Sequence, residues 1–209
     1  MIYSKGLQYA YDQKRILQFP DINCSDQETL LILGQSGKGK TTLLHLLALL
    51  LKPKAGEIVI DNQELTHLSP ANASKIRSKK IGIIYQKPHF VGSLNVLDNL
   101  ILANFLANEK ENKSKALFLA EQLGFSDHLY KKTHQLSQGE QQRVSIARSL
   151  MNQPSVILAD EPTSSLDDDN CRKVVSLLKA QSEQIGASLL VVTHDQRLKN
   201  EFLNQVQLS

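Results

Sequence analysis

The sequence GQSGKGKTT, at residues 34–42, constrains the fold more than any other part of the chain. It fits the pattern Gly-x-x-x-x-Gly-Lys-Ser/Thr and directly follows a short apolar run at residues 29–33, which predicts a buried strand. A helix is predicted from about Lys40. Because glycines let backbone N–H groups turn inward and a helix N-terminus carries partial positive charge, this strand–loop–helix unit predicts a phosphate-binding loop.

Each residue type in this loop has a physical task. The lysine side chain of Lys40 is suited to neutralise the β- and γ-phosphates of a nucleotide, and the hydroxyl of Thr41 is suited to bind Mg²⁺. The predicted nucleotide-binding residues of the loop are Gly34, Gln35, Ser36, Gly37, Lys38, Gly39, Lys40, Thr41 and Thr42.

Length and composition predict a packed globular protein. The 209 residues, 41% hydrophobic and 22% charged, suit one domain spanning residues 1–209. The net charge of +3 comes from scattered side chains without a basic block, so no nucleic-acid partner is expected. Cys24 and Cys171 lack zinc-site spacing, and the N-terminus lacks a secretory signal. The longest apolar segment, at 43–51, is far below the roughly 20 residues that cross a bilayer.

The pattern of apolar runs predicts an α/β fold. Runs at 57–60, 81–85, 156–159 and 189–193 predict further strands, and the helical segments between them favour parallel, fully buried pairing. From about residue 87 apolar residues recur at helical spacing instead. We therefore expect a phosphate-loop NTPase core with a mainly parallel central sheet and an inserted α-helical subdomain at about 87–152.

Polar side chains follow three of these runs. Asp160 and Glu161 end one run, so their carboxylates are expected at the edge of the sheet that carries the phosphate loop. Asp160 is suited to hold Mg²⁺, and Glu161 to polarise the attacking water as general base. His194 and Gln86 end two other runs, where His194 could sense a γ-phosphate and Gln86 could contact Mg²⁺ or the water. Taken singly, each of these residues also fits solvation of a strand end or helix capping.

The segment LSQGEQQR, at residues 136–143, closely resembles the LSGGQ signature of the ATP-binding cassette family. The other motifs follow in that family's order. The resemblance makes Tyr11 the aromatic residue that stacks on adenine, with Tyr9 as an alternative because both are expected on one strand face. It makes Gln86 the Q-loop, Ser165-Leu166-Asp167 the D-loop and His194 the switch histidine. The resemblance extends over nearly the whole chain.

The resemblance implies an ATP-hydrolysing subunit that uses ATP and Mg²⁺, with an antiparallel β subdomain at its N-terminus. It implies a head-to-tail dimer with a second copy or a homologous cassette. The residues that it places at the partner's nucleotide are Ser137, Gln138, Gly139, Glu140 and Asp167. The sequence departs from the family pattern at Gln138, Glu140 and Lys38, which puts the rate of hydrolysis in doubt.

The short chain resembles cassettes of the lipoprotein-release, macrolide-export and cell-division group. That likeness implies integral membrane permease subunits as partners, and a cytoplasmic location on the inner face of the membrane. In relatives, the region after Gln86 receives a short helix of the permease. Here Phe90, Leu94 and Val96 suit an irregular, partly exposed groove, although such residues also suit the subdomain core.

Two other classes remain as alternatives. Cassette ATPases of DNA repair, chromosome organisation or translation do not transport, but the chain carries one cassette and no sustained heptad pattern between Lys40 and Leu136. A phosphate-loop kinase would explain residues 34–42 and leave the signature and His194 unexplained. The sequence does not identify the transported substrate.

Overall fold

Strands and helices alternate along the described part of the chain. The structure, a computed structural model, describes residues 1–12, 16–164 and 166–208. In chain order the elements are β1 (Ile2–Tyr9), β2 (Leu17–Gln18), β3 (Ile22–Cys24), β4 (Thr29–Gly34), α1 (Lys40–Leu47), β5 (Ala55–Ile60), β6 (Gln63–Glu64), α2 (Pro70–Lys80), β7 (Ile81–Ile84), α3 (Val96–Leu106), α4 (Lys113–Gln122), α5 (Gln138–Leu150), β8 (Val156–Asp160), α6 (Asp168–Gln184), β9 (Ser188–Thr193) and β10 (Asn204–Leu208). Short 3-10 helices cover Ser126–His128, Thr133–Gln135 and Gln196–Glu201.

A parallel sheet of five strands forms the centre, in the order β10-β4-β9-β8-β7. Its inner strands are buried on both faces, as expected for near-continuous apolar runs. Along β4, Leu31 and Leu33 pack towards α3, α5 and α6, whereas Leu30 and Ile32 pack towards α1. The expected α/β fold with a mainly parallel central sheet is confirmed.

A second, antiparallel sheet packs on the α1 side, in the order β2-β1-β5-β6 with β3 beside β1. It confirms the expected N-terminal antiparallel part. The expectation that the run at 57–60 belongs to the parallel sheet is wrong, because β5 pairs antiparallel with β1, Ile2 opposite Ile60. Burial explains the difference: Ile58 and Ile60 are fully buried while Glu57 and Val59 are partly exposed, the alternation of a one-faced strand.

Three helices, α3, α4 and α5, lie between β7 and β8 in the chain. Their apolar faces share one core with the parallel sheet, to which Leu100, Leu119 and Val144 contribute. Val96 is fully buried in this core, so its expected place in a partly exposed groove is wrong. Val96 begins α3 on the side of the helix that faces the core.

No helix within the described ranges combines the length and the apolar character that crossing a bilayer requires.

Candidate active site

A cavity of about 580 Å³ opens at the carboxyl edge of the parallel sheet. This edge is where parallel α/β sheets bind ligands, because the loops after several strands converge there. The phosphate loop after β4, Glu161 after β8, His194 after β9 and Gln86 after β7 all reach it. Its lining residues are Tyr11, Asp12, Leu17, Ser36, Gly37, Gly39, Lys40, Thr41, Thr42, Gln86, Glu161 and His194.

The loop between β4 and α1 presents backbone N–H groups to this cavity. Gly37 and Gly39 have φ angles of 80° and 89°, in a left-handed region of the backbone that residues with a Cβ rarely adopt. Gly39 caps α1 without a side-chain hydrogen bond, so the first N–H groups of the helix stay available for an anion. Of the predicted loop residues, Gly34, Gln35 and Lys38 do not line the cavity. Gln35 nevertheless contributes its carbonyl, which accepts a hydrogen bond from Lys40 Nζ at 3.1 Å.

Glu161 lies at the centre of a buried network beside the loop. Its Oε1 is 3.3 Å from Lys40 Nζ and 2.8 Å from His194 Nδ1, and its Oε2 accepts a hydrogen bond from Thr193 Oγ1 at 2.7 Å. Burial opposes its ionisation, but the hydrogen bonds from His194 and Thr193 outweigh burial and lower the pKa of Glu161. The carboxylate is therefore ionised near neutral pH, and with Nδ1 donating to it, His194 keeps Nε2 free to face the cavity.

Asp160 and Thr41 form a second pair in the same place. Thr41 Oγ1 donates to Asp160 Oδ2 at 3.0 Å, whereas Asp160 Oδ1 is buried and has no hydrogen-bond partner among the described residues. Burial raises the pKa of Asp160, and the neighbouring carboxylate of Glu161 raises it further, which together outweigh the hydrogen bond from Thr41 and the nearby charges of His45 and Lys40. A buried carboxylate oxygen without a partner, next to a hydroxyl and a phosphate loop, fits a hard cation such as Mg²⁺.

The two tyrosines occupy different environments. Tyr11 lies in a bend beyond the end of β1, so the expectation that both tyrosines share one strand face is wrong. Its ring is 70% exposed at the cavity, and its hydroxyl lies 2.9 Å from Thr42 Oγ1. Tyr9 is partly buried against the core and contacts the Tyr11 ring edge-on, with centroids 4.9 Å apart. The exposed face of Tyr11 is thus the one that a planar base can reach.

Gln86 is exposed two residues beyond the end of β7. Its Nε2 donates to Ser164 Oγ at 2.9 Å, which links the segment after β7 to the loop after Glu161. Gln86 therefore lines the cavity from the loop after β7, which β9 and β8 separate from the phosphate loop after β4, and its side chain contacts the segment after β8.

The signature segment lines a separate cavity of about 470 Å³ between α5 and α6. Ser137, Gln138 and Gly139 form one wall, and Leu166 and Asp167 form the other. Ser137 caps α5, and Gly139 lies within the first turn of this helix. Among the described residues, none lines both this cavity and the one at the phosphate loop. The predicted nucleotide-contacting residues therefore fall into two groups on different surfaces.

Comparison with known proteins assigns the family. The family profile described as "ABC transporter" matches residues 17–164. The lipoprotein-releasing system ATP-binding protein LolD of Hyphomonas neptunium is 39% identical over 183 residues, which covers 87% of this chain and 80% of that protein. The chain belongs to the ABC transporter family.

Solved structures agree with this assignment. The ATP-binding cassette MJ0796, solved as a dimer bound to ADP and Pi, superposes with a TM-score of 0.89 at 32% identity, over 100% of this chain and 94% of that one. The CbiO1 protein of Clostridium perfringens, part of an ABC transporter complex, gives 0.82 at 29% identity over 93% and 78%. The chain is thus an ATP-binding subunit of an ABC transporter, with ATPase activity, and the non-transport alternative is not supported.

The cassette accommodates its unusual Glu140 through a capping box at the start of α5. Glu140 Oε2 accepts hydrogen bonds from Ser137 N at 2.7 Å and Ser137 Oγ at 2.8 Å, while Oε1 lies 2.8 Å from His128 Nε2. The hydrogen bonds from Ser137, followed by the His128 contact, lower the pKa of Glu140 to about 2. A carboxylate suits this position, because negative charge is favourable in the first turn of a helix.

Sequence reasoning missed several residues of the cassette's site. Thr193, next to His194, bonds Glu161, and Ser164 bonds Gln86. Thr193 ends the predicted strand and could have been found as a polar residue at the sheet edge. His128 is distant in sequence from Glu140 and gives no local signal. Ser165 of the expected D-loop lies outside the described residues.

Proposed function

We propose that this cassette hydrolyses ATP with Glu161 as general base and His194 as the residue that holds and orients it. The observation that carries the proposal is the convergence of a phosphate loop, Glu161 and His194 on one cavity. The lowered pKa of Glu161 favours the base form at neutral pH. Lys40, 7% exposed and paired with Glu161, is placed to exchange this carboxylate for a phosphate when nucleotide enters. Tyr11 supports the adenine.

Mg²⁺ would be held by Thr41 and Asp160, with Gln86 reaching the same cavity from the loop after β7. The unpartnered Asp160 Oδ1 supports this assignment. When bound, the ion neutralises charge on the phosphate oxygens and fixes their position. Thr41 Oγ1 and Asp160 Oδ2 lie 3.0 Å apart, so both side chains are close enough to bind one ion.

Hydrolysis would take place in a head-to-tail dimer. The signature residues Ser137, Gln138 and Gly139 line a cavity separate from the phosphate loop, so one copy alone presents two half-sites. The capped N-terminus of α5 suits a phosphate, because its partial positive charge points at the open surface. With Glu140 and Asp167 beside it, this surface would close on ATP held by a second copy or a homologous cassette.

Mixing two inactive variants tests this arrangement. Lys40→Ala removes the phosphate-binding lysine, and Gly139→Asp places a negative charge where the partner's phosphate would lie. The aspartate should be tolerated, since a Cβ at Gly139 meets only Arg143 Nη1 at 3.8 Å. Each variant alone should be inactive, whereas their mixture should regain activity, because mixed dimers contain one intact site.

Two results would contradict the head-to-tail dimer. Full activity of Gly139→Asp alone would show that the signature segment is not part of the catalytic site. Tagged copies can show that the two variants exchange subunits. If the mixture then stays inactive, the catalytic site is not shared between two subunits.

The membrane partner would dock in a groove of about 450 Å³ between α2, β7, α3 and α5. Its lining includes the apolar Leu102 and Leu106, the latter 64% exposed, and the basic Arg77 and Arg148. An amphipathic helix with an acidic residue fits this combination. Phe90, expected in such a groove, instead packs against the core with Arg148 5.0 Å above its ring. This docking would place the subunit on the cytoplasmic face of the membrane.

Leu106→Glu tests the groove. Co-purification with the membrane subunits, and the part of ATP hydrolysis that depends on them, should fall strongly, while hydrolysis by the isolated cassette stays unchanged. Leu117→Glu is the matched control, because Leu117 is 48% exposed on α4 and does not line the groove. Equal loss in both variants, or none in Leu106→Glu, would contradict the assignment.

A further inference from the structure

Arg197 joins two loops that carry different parts of the site. Its Nε donates to Asp195 Oδ1 at 2.9 Å and its Nη2 to Asp195 Oδ2 at 2.7 Å. Both Nη atoms donate to the carbonyl of Leu166 at 3.2 Å, and Nη1 also bonds Asp168 Oδ1 at 2.5 Å. One guanidinium thus bridges the loop after His194 and the segment before α6.

The Asp195 end of this bridge is anchored to Glu161. Asp195 N donates to Thr193 Oγ1 at 3.0 Å, and Thr193 Oγ1 donates to Glu161 Oε2 at 2.7 Å. Asp195 Oδ2 also accepts a hydrogen bond at 3.1 Å from Thr163, which is fully buried. Because Asp195 is linked to Glu161 through Thr193, a movement of Glu161 should also move the carboxylate of Asp195.

The Leu166 end belongs to the signature cavity. Leu166 and Asp167 line that cavity, whereas Glu161 and His194 line the cavity at the phosphate loop. Arg197 lines neither of them. Through Arg197, a shift of the loop at one cavity can therefore move the segment at the other, although Arg197 itself touches no ligand of either cavity.

We propose that Asp195 and Arg197 are positioning residues that couple the nucleotide cavity to the signature cavity within one subunit. Nucleotide that rearranges Lys40, Glu161 and His194 shifts the Asp195 loop, and Arg197 carries the shift to residues 166–168. The catalytic consequence of this coupling rests on the proposed function, whereas the coupling itself does not.

Arginine is required by the geometry of the bridge. Its planar fork pairs two nitrogens with the Asp195 carboxylate and directs both Nη atoms at one carbonyl. A lysine ammonium is a single point of charge and cannot span both partners in this way. Arg197→Lys should therefore retain only part of the coupling, and Arg197→Met none.

The first measurement is hydrogen–deuterium exchange at residues 166–171, with and without ADP, at concentrations where light scattering shows only monomer. ADP should alter exchange there in the wild type and leave it unaltered in Arg197→Met, although both bind ADP with similar Kd. Arg172→Met is the matched control, because Arg172 is exposed on α6 and bonds only Asp169 among the contacts of its side chain that the described residues provide. It should behave as the wild type.

The second measurement is ATP turnover. Arg197→Met should lower kcat about tenfold or more, the usual effect of losing charged hydrogen bonds, while KM for ATP changes little. If the Met variant does not fold, Arg197→Lys decides through the same readouts.

The outcomes separate the two claims. An ADP response that is absent in the wild type, or equally present in Arg197→Met, overturns the coupling. Unchanged kcat in Arg197→Met overturns its catalytic consequence. A wild type that responds to ADP but hydrolyses no ATP contradicts the proposed function and leaves the coupling supported.

Discussion

Glu161 has a backbone conformation that residues other than glycine rarely adopt. Its φ angle of 47° lies in the left-handed region, where a non-glycine residue is uncommon. Its backbone N–H still donates to Val192 O at 2.8 Å, so the residue ends the pairing of β8 with β9 and turns out of the sheet at the same point. This turn places its carboxylate beside Lys40 and His194, whereas Asp160, one position earlier, faces Thr41.

Glu161→Gln should keep ATP binding and lower turnover by roughly 10²- to 10⁴-fold, because an amide cannot accept the proton of the attacking water. The variant should accumulate as an ATP-bound dimer, detectable by light scattering with ATP. Because the pKa of Glu161 is lowered, wild-type activity should fall only as pH decreases towards that lowered value. Wild-type turnover in Glu161→Gln would remove this residue from the role of base.

At the scale of elements, α5 depends on its first turn. Ser137 and Glu140 cap the helix reciprocally, and His128 holds the second oxygen of Glu140. The same first turn presents Ser137 and Gly139 to the signature cavity. The cap and the proposed binding of the partner's nucleotide therefore rely on one local geometry, and a change in the cap should alter both.

Glu140→Gln tests the cap through pH. The pKa of Glu140 is lowered to about 2 in the folded protein, from an ordinary value of 4.5. A lowered folded pKa gives stability that is present above pH 4.5 and is lost as pH falls towards 2. Glu140→Gln should therefore be less stable than the wild type at pH 7, with a difference that shrinks below pH 4.5.

The measurement is urea unfolding at pH 7 and at several values below pH 4.5, with Glu121→Gln on the exposed side of α4 as control. A stability difference that stays constant across this range would show that the carboxylate of Glu140 does not carry the cap.

The elements differ in how far sequence predicts them. β4, the phosphate loop and α1 are specified by adjacent residues, and so are the acids that end β8. The run at 57–60 has strand character, but its partner β1 is more than 50 residues away, so the run could not reveal its sheet. Likewise Val96 and Phe90 both have apolar side chains, and only packing shows that Val96 is fully buried while Phe90 lies under Arg148. The Arg197 bridge depends on contacts about 30 residues apart and has no local pattern.

At the scale of the whole molecule, the two cavities are the basis of the proposed dimer, in which each subunit would contribute one half of two different sites. The phosphate loop, Glu161 and His194 lie at the carboxyl edge of the parallel sheet, and Ser137 and Gly139 lie at the N-terminus of α5. In the proposed dimer, binding of ATP to one subunit would not require the second half, whereas hydrolysis would. Turnover should therefore follow the population of dimers, which obeys mass action.

The central claim is tested most directly by the ATPase activity per molecule of the isolated cassette over a dilution series, with light scattering at each concentration. We expect this specific activity to rise with protein concentration as long as the monomer predominates, and to level off once dimers predominate. Constant specific activity in samples that are monomeric throughout would contradict a site that is divided between two subunits.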